Sequence, residues 1–284
     1  MTDFSSKWLV ETDWLHERLA APGLVIMDAS LKMPGDAEAP YDQYKEAHIQ
    51  GALFFDIDDL SDTSSSLPHM LPAPEKFASR MRMMGVGDGM KAVVYDNRGI
   101  FSAPRAWWMF RVMGHDDVAV LNGGLKKWLA EGRPVEPGSP PQRSERHFTA
   151  RKNSAIVRDL SDMMAAVDSK RPQIADARAK GRFEGQEPEL RPVPRLGHMP
   201  GACNVPYAKL INEDGTMKSA PELRAAFEAA GIKPEKPVIT TCGSGVTACI
   251  LALGLSVLGN EYAAVYDGSW AEWSAAPSAP VAQG

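Results

Sequence analysis

Val238-Ile-Thr-Thr-Cys242-Gly-Ser-Gly-Val-Thr-Ala-Cys249 reads as a strand, a glycine-punctuated turn and the first turns of a helix. A β-branched run ends at Thr241, Gly243 and Gly245 break it, and a helical pattern begins near Val246 or Thr247 and extends to Leu258. Cys242 therefore stands at a strand end just before a helix N-terminus, where the helix dipole and unpaired amide donors favour thiolate over thiol. The two glycines let the backbone curl so that several N–H groups point at one anion. A strand feeding a helix through such a loop is the unit of a parallel α/β sheet, whose ligands sit at the carboxyl ends of the strands.

The unit occurs twice. Val93-Val-Tyr-Asp-Asn97 matches residues 238–242, and Asn122-Gly-Gly-Leu-Lys-Lys-Trp128 matches Asp267-Gly-Ser-Trp-Ala-Glu-Trp273. His48-Ile-Gln-Gly-Ala52 matches His198-Met-Pro-Gly-Ala202. One ungapped offset of 145 residues (238 − 93, 273 − 128) aligns the halves from Val93 to Trp128 and sets Asn97 opposite Cys242. A period this long means duplicated domains rather than a solenoid of short units. Apolar runs at 24–28, 92–95 and 119–121 have strand length, while 74–84, 103–113 and 247–258 have helical length. The fold class expected is α/β: two tandem domains from an internal duplication, each a mostly parallel sheet flanked by helices. Prolines 134, 137, 140 and 141 mark a linker at 136–155, between an N-terminal non-catalytic domain at 1–135 and a C-terminal catalytic domain at 156–284.

Composition narrows the function. With 284 residues, 44% hydrophobic and 24% charged, the chain has the make-up of a globular protein, and its net charge of −5 argues against a broad nucleic-acid or anionic-membrane surface. No run approaches the ~18 apolar residues of a membrane span, and the N-terminus has neither a secretory h-region nor an Arg-rich transit pattern. Three cysteines make no disulfide framework, so a cytoplasmic setting is expected. They lack paired metal-ligand spacing as well, so neither a metal nor an organic cofactor is expected. Cys249, two helical turns after Cys242, reads as core, and Cys203 as buried. Arg105 and Arg111 read as ion-pairing across the domain interface, Arg178 as pairing beside the strand end at Asp176, and His48 and His198 as sharing one structural role.

These motifs, together with Tyr44-Lys-Glu-Ala-His48, Ser102-Ala-Pro-Arg105-Ala-Trp-Trp-Met-Phe-Arg111, Gly181-Arg-Phe183 and Gly197-His-Met-Pro-Gly-Ala202, resemble the tandem-domain sulfurtransferases of the rhodanese family over nearly the whole chain. The resemblance implies a persulfide formed on Cys242. It further implies that Gly243, Gly245, Val246 and Thr247 surround the substrate and that Arg182 and Arg191 grip its carboxylate and ketone. It carries over a serine–histidine–aspartate relay onto Ser244, His69 and Asp58. Thiosulfate-preferring members have two basic residues after the cysteine, whereas Gly243-Ser244 matches the pattern of members acting on 3-mercaptopyruvate. A neutral loop holds a second negative charge poorly, so a monocarboxylate with one ketone suits it better than a dianion. The implied acceptors are a thiol, such as thioredoxin, or cyanide.

Thiosulfate:cyanide sulfurtransferase is the near alternative. A cysteine phosphatase would need an arginine at the far end of the loop, but position 248 is Ala and no basic residue lies between Cys242 and Asn260. A non-catalytic binding module would fit Asp or Asn at position 242 rather than cysteine.

Overall fold

The computed structural model describes residues 6–284. The first half runs β1 (Leu9–Val10), α1 (Thr12–His16), β2 (Leu24–Asp28), α2 (Pro40–Glu46), β3 (His48–Ile49), β4 (Leu53–Phe54), α3 (Ile57–Leu60), α4 (Pro74–Met83), β5 (Lys91–Tyr95), α5 (Ala103–Val112), β6 (Val118–Leu121), α6 (Gly124–Ala130) and β7 (Val135–Glu136). The second runs β8 (Val157–Arg158), α7 (Leu160–Ser169), β9 (Gln173–Asp176), α8 (Lys180–Phe183), β10 (Cys203–Asn204), α9 (Ala220–Ala229), β11 (Val238–Thr241), α10 (Ala248–Val257), β12 (Ala264–Tyr266) and α11 (Ser269–Ala275). Each half builds a five-stranded sheet, β1-β6-β5-β2-β4 and β8-β12-β11-β9-β10, with every pairing parallel. The strand orders coincide element for element, as a duplication requires.

Local chemistry sets the boundaries. Pro74 opens α4 at its first turn and Gly85 (φ +70°) follows its end. Asp159 with Asp162, and Ser219 with Glu222, form capping boxes at the starts of α7 and α9. The recurring histidines do share a role. His48 Nδ1 meets Tyr44 O at 2.8 Å and its ring stacks on Tyr44, while His198 Nδ1 meets Phe183 O at 2.9 Å and stacks on Phe183.

Helices α5 and α10 pack against each other where the halves meet. All residues of α5 are buried, including Arg105 and Arg111, as is nearly all of α10. A helix apolar all round belongs in the middle of a larger core. Accordingly one continuous apolar cluster includes Trp107, Phe110 and Val120 of the first half with Ile250, Leu251 and Val265 of the second. Residues 137–153 form no regular element, yet they are strapped to the first half. Arg82 holds Phe148 O through Nε and Nη2 (3.2 and 3.0 Å), Asp88 accepts from Thr149 N and Oγ1, and the Phe148 ring is fully buried. Among the described residues no helix is long and apolar enough to cross a membrane.

The ungapped alignment fails at one place. Val94 pairs with Val120 and Thr240 with Val265, so β5 corresponds to β11 at an offset of 146 rather than 145 (240 − 94 against 265 − 120). The first loop is longer by a residue: Asp96 stands seven before the start of α5, Cys242 six before the start of α10. Carbonyls agree, since Leu125 N donates to Asp96 O and Trp270 N to Cys242 O. The counterpart of Cys242 is thus Asp96, not Asn97. An inserted residue inside a turn leaves no trace in apolar periodicity.

Candidate active site

Cys242 follows the last residue of β11, and its side chain opens on a cleft of about 810 Å³ between the halves. Cys242 itself is buried. Its loop is fastened to the start of α11, where Trp270 N donates to Cys242 O and Ala271 N to Gly243 O (2.9 and 3.0 Å). Ser269 is the second fastening. Its Oγ accepts from Cys242 N (3.2 Å), donates to Tyr266 O (2.9 Å) and lies 4.0 Å from Cys242 Sγ. Ser269 has φ +49°, a conformation costly for a residue with a side chain, and its counterpart Gly124 shares it at +54°. A strained non-glycine beside the candidate cysteine is a site signal that only backbone angles disclose.

The first half displays what such a loop is built to hold. Asp96 Oδ2 accepts from Phe101, Ser102 and Ala103 N (2.8, 2.9 and 2.9 Å), and Oδ1 from Arg98 N (2.9 Å). A strand-to-helix loop of this fold therefore closes around a single negative group. Burial pushes the Asp96 carboxyl up, against the pull of those donors. In the second half Val246, Thr247 and Ala248 stand where Phe101, Ser102 and Ala103 do, and no carboxylate precedes them. That cradle faces the cleft.

Of the expected substrate-contacting residues, Arg182, Arg191, Cys242, Gly243, Ser244, Val246 and Thr247 line the cleft together. Gly245 sits behind the loop instead. Its carbonyl accepts from Cys249 Sγ (3.2 Å) and Arg105 Nη1 (3.4 Å), and a Cβ there would lie 2.7 Å from Asp267 O. With φ at +77° the position requires glycine, so its part is to turn the loop rather than to touch a ligand.

The relay residues come together in part. His69 Nδ1 is 2.8 Å from Asp58 Oδ1, and Nε2 is 3.0 Å from Arg191 Nη2. A guanidinium only donates, so Nε2 accepts and the ring proton sits on Nδ1. The hydrogen bond from His69, with the Arg191 charge adding to it, holds the Asp58 carboxyl below the usual range. Ser244 makes no hydrogen bond to His69 among the described contacts; Arg191 occupies that ring nitrogen.

Glu189 went unnoticed in the sequence. Its Oε1 accepts from Arg178 Nη1 (2.6 Å) and its Oε2 from Arg182 Nη1 (3.3 Å), and its side chain is nearly buried. Arg178 also forms a bidentate pair with Asp176, which fixes Glu189 and through it the direction of Arg182. The only sequence trace is Glu-Pro-Glu-Leu-Arg at 187–191, which carries no periodicity to mark it. Behind the loop, Arg105 of α5 ties the halves: its Nη2 reaches Asp267 Oδ1 (2.7 Å) and donates to His69 O, while Asp267 Oδ2 accepts from Leu71 N (2.8 Å). Arg111 reaches across too, donating to Glu261 O at 2.8 Å. Cys249 is fully buried and burial drives its thiol far up, and Cys203 is half-buried with its thiol also raised. Among the described residues no three His, Cys, Asp or Glu side chains converge as a metal would need.

A model of the rhodanese-like domain matches this chain twice, at residues 11–131 and 158–276. The 3-mercaptopyruvate sulfurtransferase of Escherichia coli is 43% identical over 278 residues, covering 98% of both chains. Thiosulfate sulfurtransferase of Bos taurus is 44% identical over 286 residues, covering 97% of this chain and 95% of that one. Among solved structures, the E. coli 3-mercaptopyruvate sulfotransferase superposes with a TM-score of 0.85 at 42% identity, over 93% of this chain and 98% of the other.

Proposed function

The chain belongs to the rhodanese family, with two tandem copies of its domain, and from that premise we propose that it is a sulfurtransferase that takes sulfur from 3-mercaptopyruvate through a Cys242 persulfide. Relatives of either donor class are equally similar overall, so the donor is argued from the loop. The observation that carries it is the neutral pair Gly243-Ser244 lining the cleft beside Cys242, with Arg182 and Arg191 among the cations of the same cleft. Two guanidiniums suit one carboxylate and one ketone oxygen.

Cys242 thiolate attacks the donor sulfur; the carbon–sulfur bond breaks and its electron pair enters the ketone as an enolate. Arg182, aimed by Glu189, meets the charge that develops on that oxygen. The donor carboxylate draws Arg191 away from His69, and the freed Nε2 takes the donor's thiol proton and returns it to the enolate carbon, giving pyruvate. Asp58 supports the ring while it is charged. Ser244 offers its hydroxyl to the ketone. The amides of residues 246–248 receive the persulfide as their counterparts receive the Asp96 carboxylate. A thiol or cyanide then removes the outer sulfur, completing a ping-pong cycle. A cytoplasmic setting belongs to the same reading, since all three cysteines are free thiols.

The test compares kcat/KM for 3-mercaptopyruvate and thiosulfate with one common acceptor, in wild type, Cys242→Ala and the loop variant Gly243→Arg/Ser244→Lys. We expect wild type to favour mercaptopyruvate, Cys242→Ala to lose both activities, and the basic loop to shift preference toward thiosulfate by at least tenfold. A wild-type preference for thiosulfate would sink the donor assignment and leave the nucleophile standing.

A further inference from the structure

The cleft is larger than its proposed donor. A three-carbon thiol acid fills roughly 150 Å³, each heavy atom claiming somewhat less than the ~30 Å³ of a liquid water, against about 810 Å³ in the open cleft. Part of the remaining wall comes from the first half: Met33, Pro34, Asp36, Arg98 and Phe101. Arg98 belongs to the loop that corresponds to the Cys242 loop, so the non-catalytic copy turns its own loop toward the catalytic one.

Arg98 and Asp36 form a two-charge platform on that wall. Arg98 Nη2 donates to both Asp36 oxygens (2.6 and 2.5 Å), while Nη1 and Nε hold no hydrogen bond among the described residues. Asp36 Oδ2 also accepts from Met33 N (2.8 Å), which leaves Oδ1 the freer oxygen. The guanidinium is held over the Phe101 ring at 5.5 Å, and Phe101 packs edge-on against Tyr207 of the other half. A half-exposed ion pair adds little stability. Here it presents an open guanidinium edge and a carboxylate oxygen side by side on the first-half wall of the cleft, among Met33, Pro34 and Phe101. The complement is an ammonium and a carboxylate on one carbon.

We propose that Asp36 and Arg98 form the head-group subsite of the sulfur acceptor, and that they select small thiols bearing an amino-acid head, such as cysteine or the γ-glutamyl tripeptide glutathione. The proposal rests on the persulfide reading of Cys242. The acceptor's carboxylate lies on Arg98 and its ammonium on Asp36, and its thiolate reaches across the cleft to the outer sulfur of the Cys242 persulfide. A sulfur–sulfur bond forms to the acceptor as the one to Cys242 breaks. The electron pair returns to Cys242 Sγ as thiolate, and the acceptor leaves as its own persulfide anion, the donor's thiol proton having already gone to pyruvate. No oxidant or reductant enters.

The experiment loads wild type, Arg98→Met and Asp36→Asn with 3-mercaptopyruvate and follows single-turnover discharge to cysteine, glutathione and uncharged 2-mercaptoethanol. Both positions are surface-accessible, and neither touches Cys242 or its proposed donor clamp. Expected is a fall of about tenfold for cysteine or glutathione in Arg98→Met and a smaller fall in Asp36→Asn. Loading and discharge to 2-mercaptoethanol should stay within about twofold of wild type. N-acetylcysteine, lacking the ammonium, should be indifferent to Asp36→Asn. A fall confined to one of the two amino-acid thiols identifies which head length the subsite fits. Equal falls for all thiols, or none for cysteine and glutathione, overturn the subsite, as does discharge only to a dithiol protein. If wild type fails to load at all, the sulfurtransferase reading is what falls.

Discussion

Asp28 and Asp176 end equivalent strands and meet opposite fates. Each accepts from the amide two residues on, Ser30 or Arg178, and each carbonyl receives the next strand's amide, Phe55 or Val205. Asp176 has the Arg178 guanidinium beside it; Asp28 has no cation there, and burial lifts its pKa to about 6. A carboxyl whose folded pKa exceeds its unfolded value favours the protonated protein. Its stabilisation is complete below about pH 4 and is lost as pH rises to about 6, a span of roughly 3 kcal/mol. Asp28→Asn removes that loss. Melting curves should show the variant gaining on wild type between pH 4 and pH 7.5, and an identical Tm difference at the two pH values would refute the account. Cys242 and the Arg178–Asp176 pair were legible in the sequence because each is anchored to a strand end. Glu189 and Asp96 were not, because their roles depend on a fold-back and on a one-residue insertion that local patterns do not register.

At the scale of elements, α5 and α10 decide the interface. Their apolar character was readable in the sequence, and so was the ion pair of Arg105 across it. Arg111, expected to do the same, reaches across to the backbone carbonyl of Glu261 and has its carboxylate neighbour Asp116 in its own half. The partners were not readable, since Asp267 lies 162 residues beyond Arg105 and no spacing rule connects them. Arg105 is wholly buried and Asp267 nearly so. Removing one member of a buried pair strands the other, at a cost of about 3–5 kcal/mol. Urea denaturation of Arg105→Met should show a loss of that order, and adding Asp267→Asn should recover part of it. If the double variant is as unstable as the sum of the singles, the two side chains are not coupled. His69 O and Gly245 O also bind Arg105, so Arg105→Met should lower kcat more than it raises KM.

For the whole molecule, the repeat announced two copies but not how they would join. Parallel sheets and helix placement followed from strand-length apolar runs alternating with helical ones. The face-to-face packing of α5 on α10 needed the tertiary structure, although α10's all-round hydrophobicity was a hint that it would not face water. Since one apolar cluster runs through both halves, residues 156–284 expressed alone would bare α10. That fragment should be insoluble or bind a hydrophobic dye, and co-expression with residues 1–155 should restore a soluble complex. A monomeric fragment with a sharp unfolding transition would show instead that the second half is self-sufficient.

Asp96, seated in its own loop, also bears on ancestry. A gene duplication hands a protein two reactive pockets where one suffices, and each open pocket keeps amides waiting for a visitor between turnovers. With an aspartate at position 96 the first copy is supplied with a permanent guest. Its loop is closed for good and free to serve as masonry, carrying Arg98 and Phe101 to the far wall of its sister's cleft. With its own loop filled, the first twin gives the chemistry proposed for the second something rigid to work against.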